Sequence, residues 1–581
     1  MATPVILVEI DQDFCANTYG EAPCTAGGFD KCFNTFASCQ DPNNYDKDVL
    51  TLRFARGQAD LPFAWGVIPS LQSVNTTPTQ INPGGGDRNR SPLGSRATAR
   101  LRFKDHPHSD FRVDKYLDER DYNPLERGTF WSKWLRRNPF YHNRPIRIKE
   151  GYIDESPENM TTRHYLIEEI NGPTADGQVT IRAVDILALT SLDKAQVPAA
   201  TEGELLEDIS DDDDSLILIN WRSADEYPPA IDFPWGFGTI RIGDEVMRYG
   251  TRSVDGDEIT LGDLLRGADG TEAEEHDAGD NAQLCRRYVN ENCWEVVRDL
   301  LQDDAGVPSE FVPFSDWEEE ADIWLPQFTV TSLITEPEGV EKLLGELQQQ
   351  CLFFLWWDER RQEVRLKALR PPLEEPTELN DRQHIKAGSW AHRVDDDQRI
   401  SQVWIYYQPR NPTEDLDEPT NYRRLRVRIN PGSESNDQYG ERRVRRIFSR
   451  WLETEAQVIN VAARMIGRYV DGAKYLRLRL DAKDRELWTG DVADVSLWSQ
   501  VGLTGLPESV RYQVISAEEV QPGETVEYDL LRYEFIGRFA FWMEESAPDY
   551  MDASDFQRDR GAWWSDADGE MPDGTDGYEW I

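Results

Sequence analysis

The chain has 581 residues, a formal net charge of −45 and an apolar fraction of 39%. At roughly 150 residues per domain this length predicts about four domains. The apolar content is enough to build hydrophobic cores, which excludes a disordered chain. So acidic a composition also excludes polyanion binding by counterion release as the main activity.

The first residues show neither a basic nor an apolar leader region. The most apolar run, Cys351–Trp357, is much shorter than the roughly 18 residues that span a bilayer. We therefore expect no integral membrane segment and folding in a cytoplasm. Thiols stay reduced there, so clustered cysteines favour metal binding over disulfides.

The charge is unevenly distributed along the chain. Residues 81–150 hold 16 Lys and Arg against 9 Asp and Glu, whereas residues 201–300 hold 8 against 26 and residues 541–581 hold 2 against 12. Two interpretations of the acidic excess remain open. It keeps the protein soluble, or it forms a wall along which DNA moves without adsorbing.

The N-terminal segment carries a cluster of cysteines with the spacing C-x8-C-x7-C-x6-C, formed by Cys15, Cys24, Cys32 and Cys39. Four thiolates complete the ligand set of a structural zinc or of a cubane iron–sulfur cluster. Zinc sites usually take two ligands from a short C-x2–4-C knuckle. These wider gaps favour a [4Fe-4S] cluster, with Zn as the runner-up, and two disulfides or four unligated thiols as further alternatives.

Alternating apolar residues predict strands at Val49–Phe54 and Ala97–Phe103 in the first part of the chain. The same alternation at Thr239–Tyr249, followed by an Asp-Gly turn, predicts a β-hairpin. We therefore divide the first half into four parts: a cysteine-rich module (1–47), an N-terminal β-rich domain (48–165), connecting strands with an acidic linker (166–210) and a small all-β insert (211–290).

A helical period appears in residues 291–375. Thr335 and Glu338 form a capping-box pattern. Behind it, apolar residues at i, i+3, i+4, i+7 and i+11 predict one buried helix face, comprising Val340, Leu343, Leu344, Leu347 and Cys351. Strand-like segments on either side predict a βαββ unit. A second helix is predicted from about Glu455 to Tyr469, within a β-rich domain at 376–540.

Residues 541–581 are predicted to form an acidic tail without periodicity. It carries the aromatic residues Trp563, Trp564, Tyr578 and Trp580. The three cysteines outside the cluster, Cys285, Cys293 and Cys351, are predicted core residues. The predicted fold class is therefore multi-domain and mainly β, with β-barrel-like domains, α+β units and an N-terminal cysteine-rich loop module that binds a metal or cluster.

A likeness to a known family is most specific in residues 31–45, Lys-Cys-Phe-Asn-Thr-Phe-Ala-Ser-Cys-Gln-Asp-Pro-Asn-Asn-Tyr. This segment resembles the cysteine module of the iron–sulfur minor tail proteins, or baseplate hub proteins, of lambda-type siphophages and gene transfer agents. That family holds a [4Fe-4S] cluster on a C-x8-C pair and a C-x6-C pair, which match Cys15/Cys24 and Cys32/Cys39 here.

Weaker similarity extends over most of residues 10–540. The stretches Ile242–Tyr249, Leu265–Thr271 and His276–Gly279 look like a β-insert that recurs in phage tail-tip proteins. The predicted βαββ unit is similar to the central hub domains of the same family.

The resemblance implies a structural hub at the virion tail tip, assembled in the cytoplasm of a bacterial host. It implies a homotrimeric ring that joins the distal tail protein to tail-fibre or receptor-binding proteins. The tape-measure protein and DNA would pass through the centre of this ring, and the DNA would pass without specific binding. The four cysteines would then act as a structural staple rather than as a redox site.

Enzyme motifs are not found in the sequence. It contains no H-E-x-x-H, G-x-S-x-G or phosphate-loop pattern, and its seven histidines are scattered. We therefore expect no enzymatic activity. The alternative function is a carbohydrate-binding or glycan-cleaving tail protein that uses surface tryptophans and carboxylates.

Overall fold

The computed structural model describes most of the chain, namely residues 3–28, 30–57, 61–85, 91–219, 233, 236–372, 375–484, 486–521, 524–533, 541–542, 548–566 and 570–574. Strands dominate these residues, and the hydrophobic side chains gather into several separate cores. The predicted mainly β, multi-domain class is therefore confirmed. Within the same residues no helix has the length and apolar character needed to cross a membrane.

Seven antiparallel strands form the first sheet in the order β2-β1-β5-β6-β7-β4-β3. They are β1 (Pro4–Cys15), β2 (Lys47–Phe54), β3 (Leu71–Thr77), β4 (Thr98–Lys104), β5 (Pro145–Tyr152), β6 (Thr161–Asn171) and β7 (Gln178–Val184). Helix α1 (Phe130–Arg137) covers one face, where Trp131 stacks on Phe54 with ring centroids 5.3 Å apart.

This sheet crosses two predicted domain boundaries, which are corrected here. β1 belongs to the predicted cysteine module 1–47, and β7 belongs to the predicted connecting segment 166–210, yet both pair with strands of the predicted domain 48–165. β1 escaped prediction because residues 7–10 are buried in succession, on both faces of the sheet, so the strand lacks a period of two.

The insert contains two small sheets, β13-β14-β10-β9 and β12-β11-β15. Its strands follow β8 (Gln196–Val197) and are β9 (Glu204–Leu205), β10 (Ser215–Ile219), β11 (Gly238–Ile242), β12 (Glu245–Tyr249), β13 (Thr251–Asp255), β14 (Glu258–Gly262) and β15 (Ala282–Leu284). Both sheets pack around Leu218, Ile240 and Met247. The insert begins before the predicted residue 211, because β9 pairs with β10.

A buried carboxylate, Glu245, organises the insert. Arg266 donates to both of its carboxylate oxygens, Nε and Nη2 each at 2.8 Å. The backbone N–H of Gly267 donates to Oε1 at 2.8 Å, that of Glu274 donates to Oε2 at 3.1 Å, and His276 Nε2 lies 2.9 Å from Oε2. The three sequence stretches that suggested a tail-tip insert therefore converge on one side chain.

The central region combines helices with short strand pairs. Its elements are β16 (Arg286–Asn292), α2 (Cys293–Asp299), α3 (Phe314–Trp324), β17 (Thr329–Ile334), β18 (Glu338–Gly339), α4 (Val340–Gln350), β19 (Phe353–Asp358) and β20 (Glu363–Ala368). The predicted βαββ elements are present, but they do not form one sheet. β17 pairs with β16, whereas β19 pairs only with β20 among the described strands.

The predicted capping box at Thr335 is wrong. Helix α4 begins at Val340 with Gly339 as its N-cap, and the Thr335 hydroxyl donates instead to the carbonyl of Pro412 at 3.2 Å. Glu338 stays extended because β18 pairs with β8, and this ladder competes with an earlier helix start.

The C-terminal region holds a six-stranded sheet, β21-β27-β28-β29-β26-β22, and a three-stranded sheet, β24-β23-β25. The strands are β21 (Thr377–Asn380), β22 (Ala391–Asp395), β23 (Gln402–Pro409), β24 (Tyr422–Ile429), β25 (Val444–Ser449), β26 (Ala473–Asp481), β27 (Val492–Val501), β28 (Pro507–Gln521) and β29 (Thr525–Arg532). The helices are α5 (Pro431–Glu434) and α6 (Glu455–Tyr469), and α6 matches the predicted second helix.

The predicted boundary between 291–375 and 376–540 is also corrected. Val458 of α6 and Ile405 of β23 share one core with Leu344 of α4 and Phe354 of β19. The six-stranded sheet has a second core of its own, around Leu478 and Tyr528. Sequence alone does not reveal this division, because apolar periodicity shows that a face is buried but not which face it meets.

Helix α6 begins with a capping box formed by Thr454 and Gln457. The Thr454 hydroxyl accepts the N–H of Gln457 at 3.3 Å, and the Gln457 side chain accepts the N–H of Thr454 at 2.9 Å. We expect Thr454→Ala to lower the free energy of unfolding by about 1 kcal/mol, measured by urea denaturation. Thr454→Ser keeps the acceptor and should restore most of the loss; equal losses in both variants would contradict this role.

The tail contains β30 (Phe541–Trp542), α7 (Asp555–Arg560) and β31 (Gly561–Ala562) in its described part, so it is less irregular than predicted. Trp563 packs edge-on against Tyr550 at 5.4 Å, and Trp564 is largely exposed. The predicted aromatic residues Tyr578 and Trp580 lie outside the described residues.

Candidate cysteine cluster site

The four predicted ligands lie on the last residue of β1 and on the loop that follows it. Cys15 is buried, and Cys24, Cys32 and Cys39 are partly buried. The N–H of Cys15 donates to the carbonyl of Asn34 at 2.7 Å. Asn34 adopts a left-handed φ of 59°, which turns the loop back onto β1 between Cys32 and Cys39. We call residues 15–45 the cysteine module.

Asp41 ties the two halves of the cysteine module together. Its carboxylate accepts the N–H of Thr25 at 2.6 Å and the Thr25 hydroxyl at 2.9 Å. Its own N–H donates to the sulfur of Cys39 at 3.4 Å. Since Thr25 follows Cys24 directly, these bonds hold the second and fourth cysteines in one small region.

The thiols are close enough to affect one another. Burial raises the pKa of Cys32, a hydrogen bond from the Asn34 backbone opposes this, and the negative charges of Cys39, Cys15 and Cys24 raise the pKa further. Burial likewise raises the pKa of Cys39, with added contributions from Cys15 and Cys24. Sulfur atoms whose ionised forms repel one another suit a cationic centre that all four would share.

The donor set fits a thiolate-bound cluster in its chemistry: all four candidate ligands are cysteines, and the sulfurs of Cys32 and Cys39 accept backbone N–H groups, a common way of tuning cluster sulfurs. In the described part of the chain, however, no group of three or more Cys, His, Asp or Glu side chains is arranged as it stands to hold a metal ion.

A segment far along the chain fixes the cysteine module against the sheet domain. The guanidinium of Arg120 donates to the carbonyls of Lys31 at 2.7 Å and Cys32 at 2.8 Å, and its Nε donates to Asp114 at 2.8 Å. The ring of Phe33 lies between two guanidiniums, 4.2 Å from Arg120 and 3.8 Å from Arg137. Sequence reasoning missed these residues, because nothing in the spacing of isolated arginines signals a contact about 90 positions away.

We expect Arg120→Ala to loosen the cysteine module. The change leaves Asp114, which is 6% exposed, without its partner, and it leaves two carbonyls unsatisfied. Breaking such a buried pair costs roughly 3–5 kcal/mol. The measurement is the rate of proteolytic cleavage within residues 15–45 of the protein as purified, which should rise about ten-fold or more when this anchor is lost.

Arg127→Ala is the matched control, because Arg127 is exposed on the same segment and contacts only the ring of Tyr122, at 3.8 Å, among the contacts described. Unchanged cleavage within residues 15–45 in Arg120→Ala would contradict the anchoring role.

The remaining cysteines are not part of this site. Cys285, Cys293 and Cys351 are all buried, as predicted. The sulfur of Cys285 donates to the carbonyl of Gln283 at 3.8 Å, and burial strongly raises the pKa of Cys351. These thiols behave as small core side chains.

A cavity of 640 Å³ between β19–β20 and the six-stranded sheet bears on the glycan alternative. It is lined by Trp488 and by carboxylates such as Asp491, whose pKa is raised by burial. However, the guanidinium of Arg360 covers the Trp488 ring at 3.4 Å. A sugar would have to displace this cation before it could stack on the ring.

No family model and no curated protein matches the sequence. Among solved structures, the chain is similar to a 43 kDa tail protein of prophage MuSo2 from Shewanella oneidensis, with 11% identity, a TM-score of 0.36, and coverage of 80% of this chain and 98% of the other. It is also similar to a tail protein from Neisseria meningitidis MC58, with 9% identity, a TM-score of 0.34, and coverage of 75% and 88%.

A chain in the virion of a native gene transfer agent particle shows 13% identity, a TM-score of 0.27, and coverage of 55% of this chain and 77% of the other. At such TM-scores the likeness to tail proteins is loose. The function proposed below rests on this chain's own residues.

Proposed function

We propose that the protein is a structural, non-enzymatic hub of a phage tail tip and is located in the virion tail. The observation that carries this proposal is the cysteine module, the most specific part of the sequence resemblance, in which a loop folded back onto the end of β1 carries the cysteines that follow Cys15. In this role Cys15, Cys24, Cys32 and Cys39 bind a [4Fe-4S] cluster. When bound, the cluster supplies ligation energy that holds the loop folded.

We further propose a homotrimeric ring that joins the distal tail protein to fibre or receptor-binding proteins. An uncharged hairpin tip at residues 497–507 supports an assembly role, because Trp498, Leu503 and Leu506 on it are largely exposed in a chain with 29% charged residues. Exposed apolar groups of this kind mark protein contacts. The charge of −45 per chain supports a channel through which DNA and the tape-measure protein pass without adsorption.

Native mass spectrometry of the anaerobically purified full chain tests both the [4Fe-4S] cluster and the homotrimeric ring. The expected result is a trimer in which each subunit carries the mass of one [4Fe-4S] cluster, with iron and acid-labile sulfide confirmed chemically. A monomer at micromolar concentration would contradict the ring. A single zinc ion per chain would contradict the cluster but leave the structural role intact.

A further inference from the structure

Strand β24 lies at the edge of the sheet β24-β23-β25. Its inner edge pairs antiparallel with β23, from Tyr422 opposite Pro409 to Ile429 opposite Gln402. No strand pairs with its outer edge in the part of the chain that the structure describes. An edge of this length presents a row of backbone donors and acceptors to any added strand.

One face of β24 is apolar and exposed. Leu425, Val427 and Ile429 alternate along it and are 45%, 37% and 46% exposed. The register places Val427 beside Trp404 and Leu425 beside Tyr406 on β23, so the apolar face continues across the sheet. Since lone exposed apolar residues are common, it is the continuity of this face that marks it as a contact surface.

The opposite side chains of β24 are basic. Arg424, Arg426 and Arg428 alternate with the apolar residues, and within residues 422–429 there is no Asp or Glu. Arg426 pairs with Glu455 at 2.8 Å, whereas Arg424 and Arg428 form no ion pair with any described residue. The chain as a whole has a net charge of −45, but this strand is positively charged.

Two further arginines extend this basic character onto the apolar face. The guanidiniums of Arg442 and Arg446 lie 5.2 Å and 5.6 Å from the centre of the Trp404 ring. A ligand that reaches Val427 along the sheet would therefore meet positive charge on both faces.

We propose that β24 binds an acidic, extended segment of another protein, which adds to the sheet as a fourth strand beside β24. Its apolar residues, at every second position, would continue the face of Leu425, Val427 and Ile429. Its Asp or Glu residues, on the other face, would meet Arg424 and Arg428. A second copy of β24 is disfavoured as the occupant, since like charges directly opposite in a ladder are destabilising. This binding mode is β-augmentation.

The experiment uses the full chain and fluorescein-labelled peptides of alternating Glu and Val, with an uncharged alternating Gln and Val peptide of equal length as control. We expect fluorescence anisotropy to show that the acidic peptide binds roughly ten-fold or more tightly than the uncharged one, and that its binding weakens with salt. Failure of the acidic peptide to bind, or equal binding of both peptides, would overturn the proposal.

Backbone pairing is tested with two acidic peptides that carry N-methyl groups at either the odd or the even positions. Successive N–H groups of a strand point to opposite edges, so only one of these peptides should retain binding. If both bind as well as the parent, attraction is electrostatic without strand addition. Equal binding of a single-stranded thymidine oligonucleotide would likewise show a general polyanion site and overturn the proposal.

Charge reversal in the double variant Arg424→Glu/Arg428→Glu should weaken binding of the acidic peptide by roughly ten-fold or more. Both side chains are exposed, so the fold should persist, as judged by an unchanged thermal midpoint. Arg382→Glu is the matched control, because Arg382 is exposed on a loop away from this sheet. Equal weakening in the control would show that added negative charge anywhere on the chain, rather than loss of the β24 arginines, weakens binding.

Discussion

Cys32→Ser is expected to remove the visible absorption of the anaerobically purified protein, a broad band near roughly 400 nm, and to unfold the cysteine module. The described residues of the module bury few apolar side chains, Tyr19 among them, so it has little hydrophobic core of its own. Ligation energy therefore becomes folding energy, which for structural metal sites is on the order of 10 kcal/mol. Absorption spectra, iron content and protease sensitivity of residues 15–45 measure the effect.

Cys285→Ser is the matched control for this variant. Cys285 lies outside the cysteine module, and its sulfur lies 3.8 Å from the carbonyl oxygen of Gln283. It should keep both the band and the protease resistance of the module. A Cys32→Ser protein that retains the band, or a phage carrying Cys39→Ser with normal infectivity, would contradict the structural role of the cluster.

Glu245→Gln is expected to destabilise the insert, residues 204–284, by roughly 3–5 kcal/mol. Glu245 is fully buried and Arg266 is nearly so, so the change leaves a guanidinium without its counter-ion. Gln also presents one acceptor oxygen where the carboxylate presents two. Native-state hydrogen exchange of β10 and β14 measures the loss, and the exposed Glu258→Gln on β14 is the control, for which no change is expected.

The lowered pKa of the Glu245 carboxylate determines how the stability of the insert should depend on pH. Burial alone would raise the pKa of Glu245, but hydrogen bonds from Arg266, Gly267 and His276 lower it from 4.5 to about 2. A carboxylate whose pKa is lower in the folded state contributes its stability above pH 4.5 and loses it as the pH falls towards 2. In Glu245→Gln, the insert should lose less stability as the pH falls from 4.5 towards 2. If stability depends on pH in the same way in both proteins, groups other than Glu245 cause the acid sensitivity.

Sequence patterns predict a helix or strand correctly where its formation depends only on its own residues. Helix α6 was predicted at its observed bounds, because its apolar stripe and its ends are local features. Thr335 shows the limit of such reasoning. Its capping pattern is sound by itself, but pairing of β18 with β8, about 140 residues earlier, holds the next residues extended. Long-range pairing of this kind leaves no trace in a short window of sequence.

The residues of the candidate site also fall into two groups, those that the sequence singles out and those that only the tertiary fold reveals. The four cysteines are singled out by spacing and resemblance, and their role as ligands stays a prediction. Arg120 and Asp114, which fix them to the sheet domain, act only through the tertiary fold, and neither residue type is unusual in a charged chain. The exposed apolar face of β24 was also missed, because apolar residues that alternate with arginine are typical of an ordinary half-buried strand.

The position of Cys15 at the end of β1 has a mechanical consequence. β1 runs through the sheet between β2 and β5, with Val8–Cys15 paired to Lys47–Phe54 and Pro4–Ile10 paired to Ile146–Tyr152. Because the module connects β1 to β2 at the Cys15–Lys47 end of their ladder, a pull on it along the strand axis would draw both strands together and load the β1–β5 ladder in shear. The hydrogen bonds between Pro4–Ile10 and Ile146–Tyr152 would then resist tension together rather than one after another.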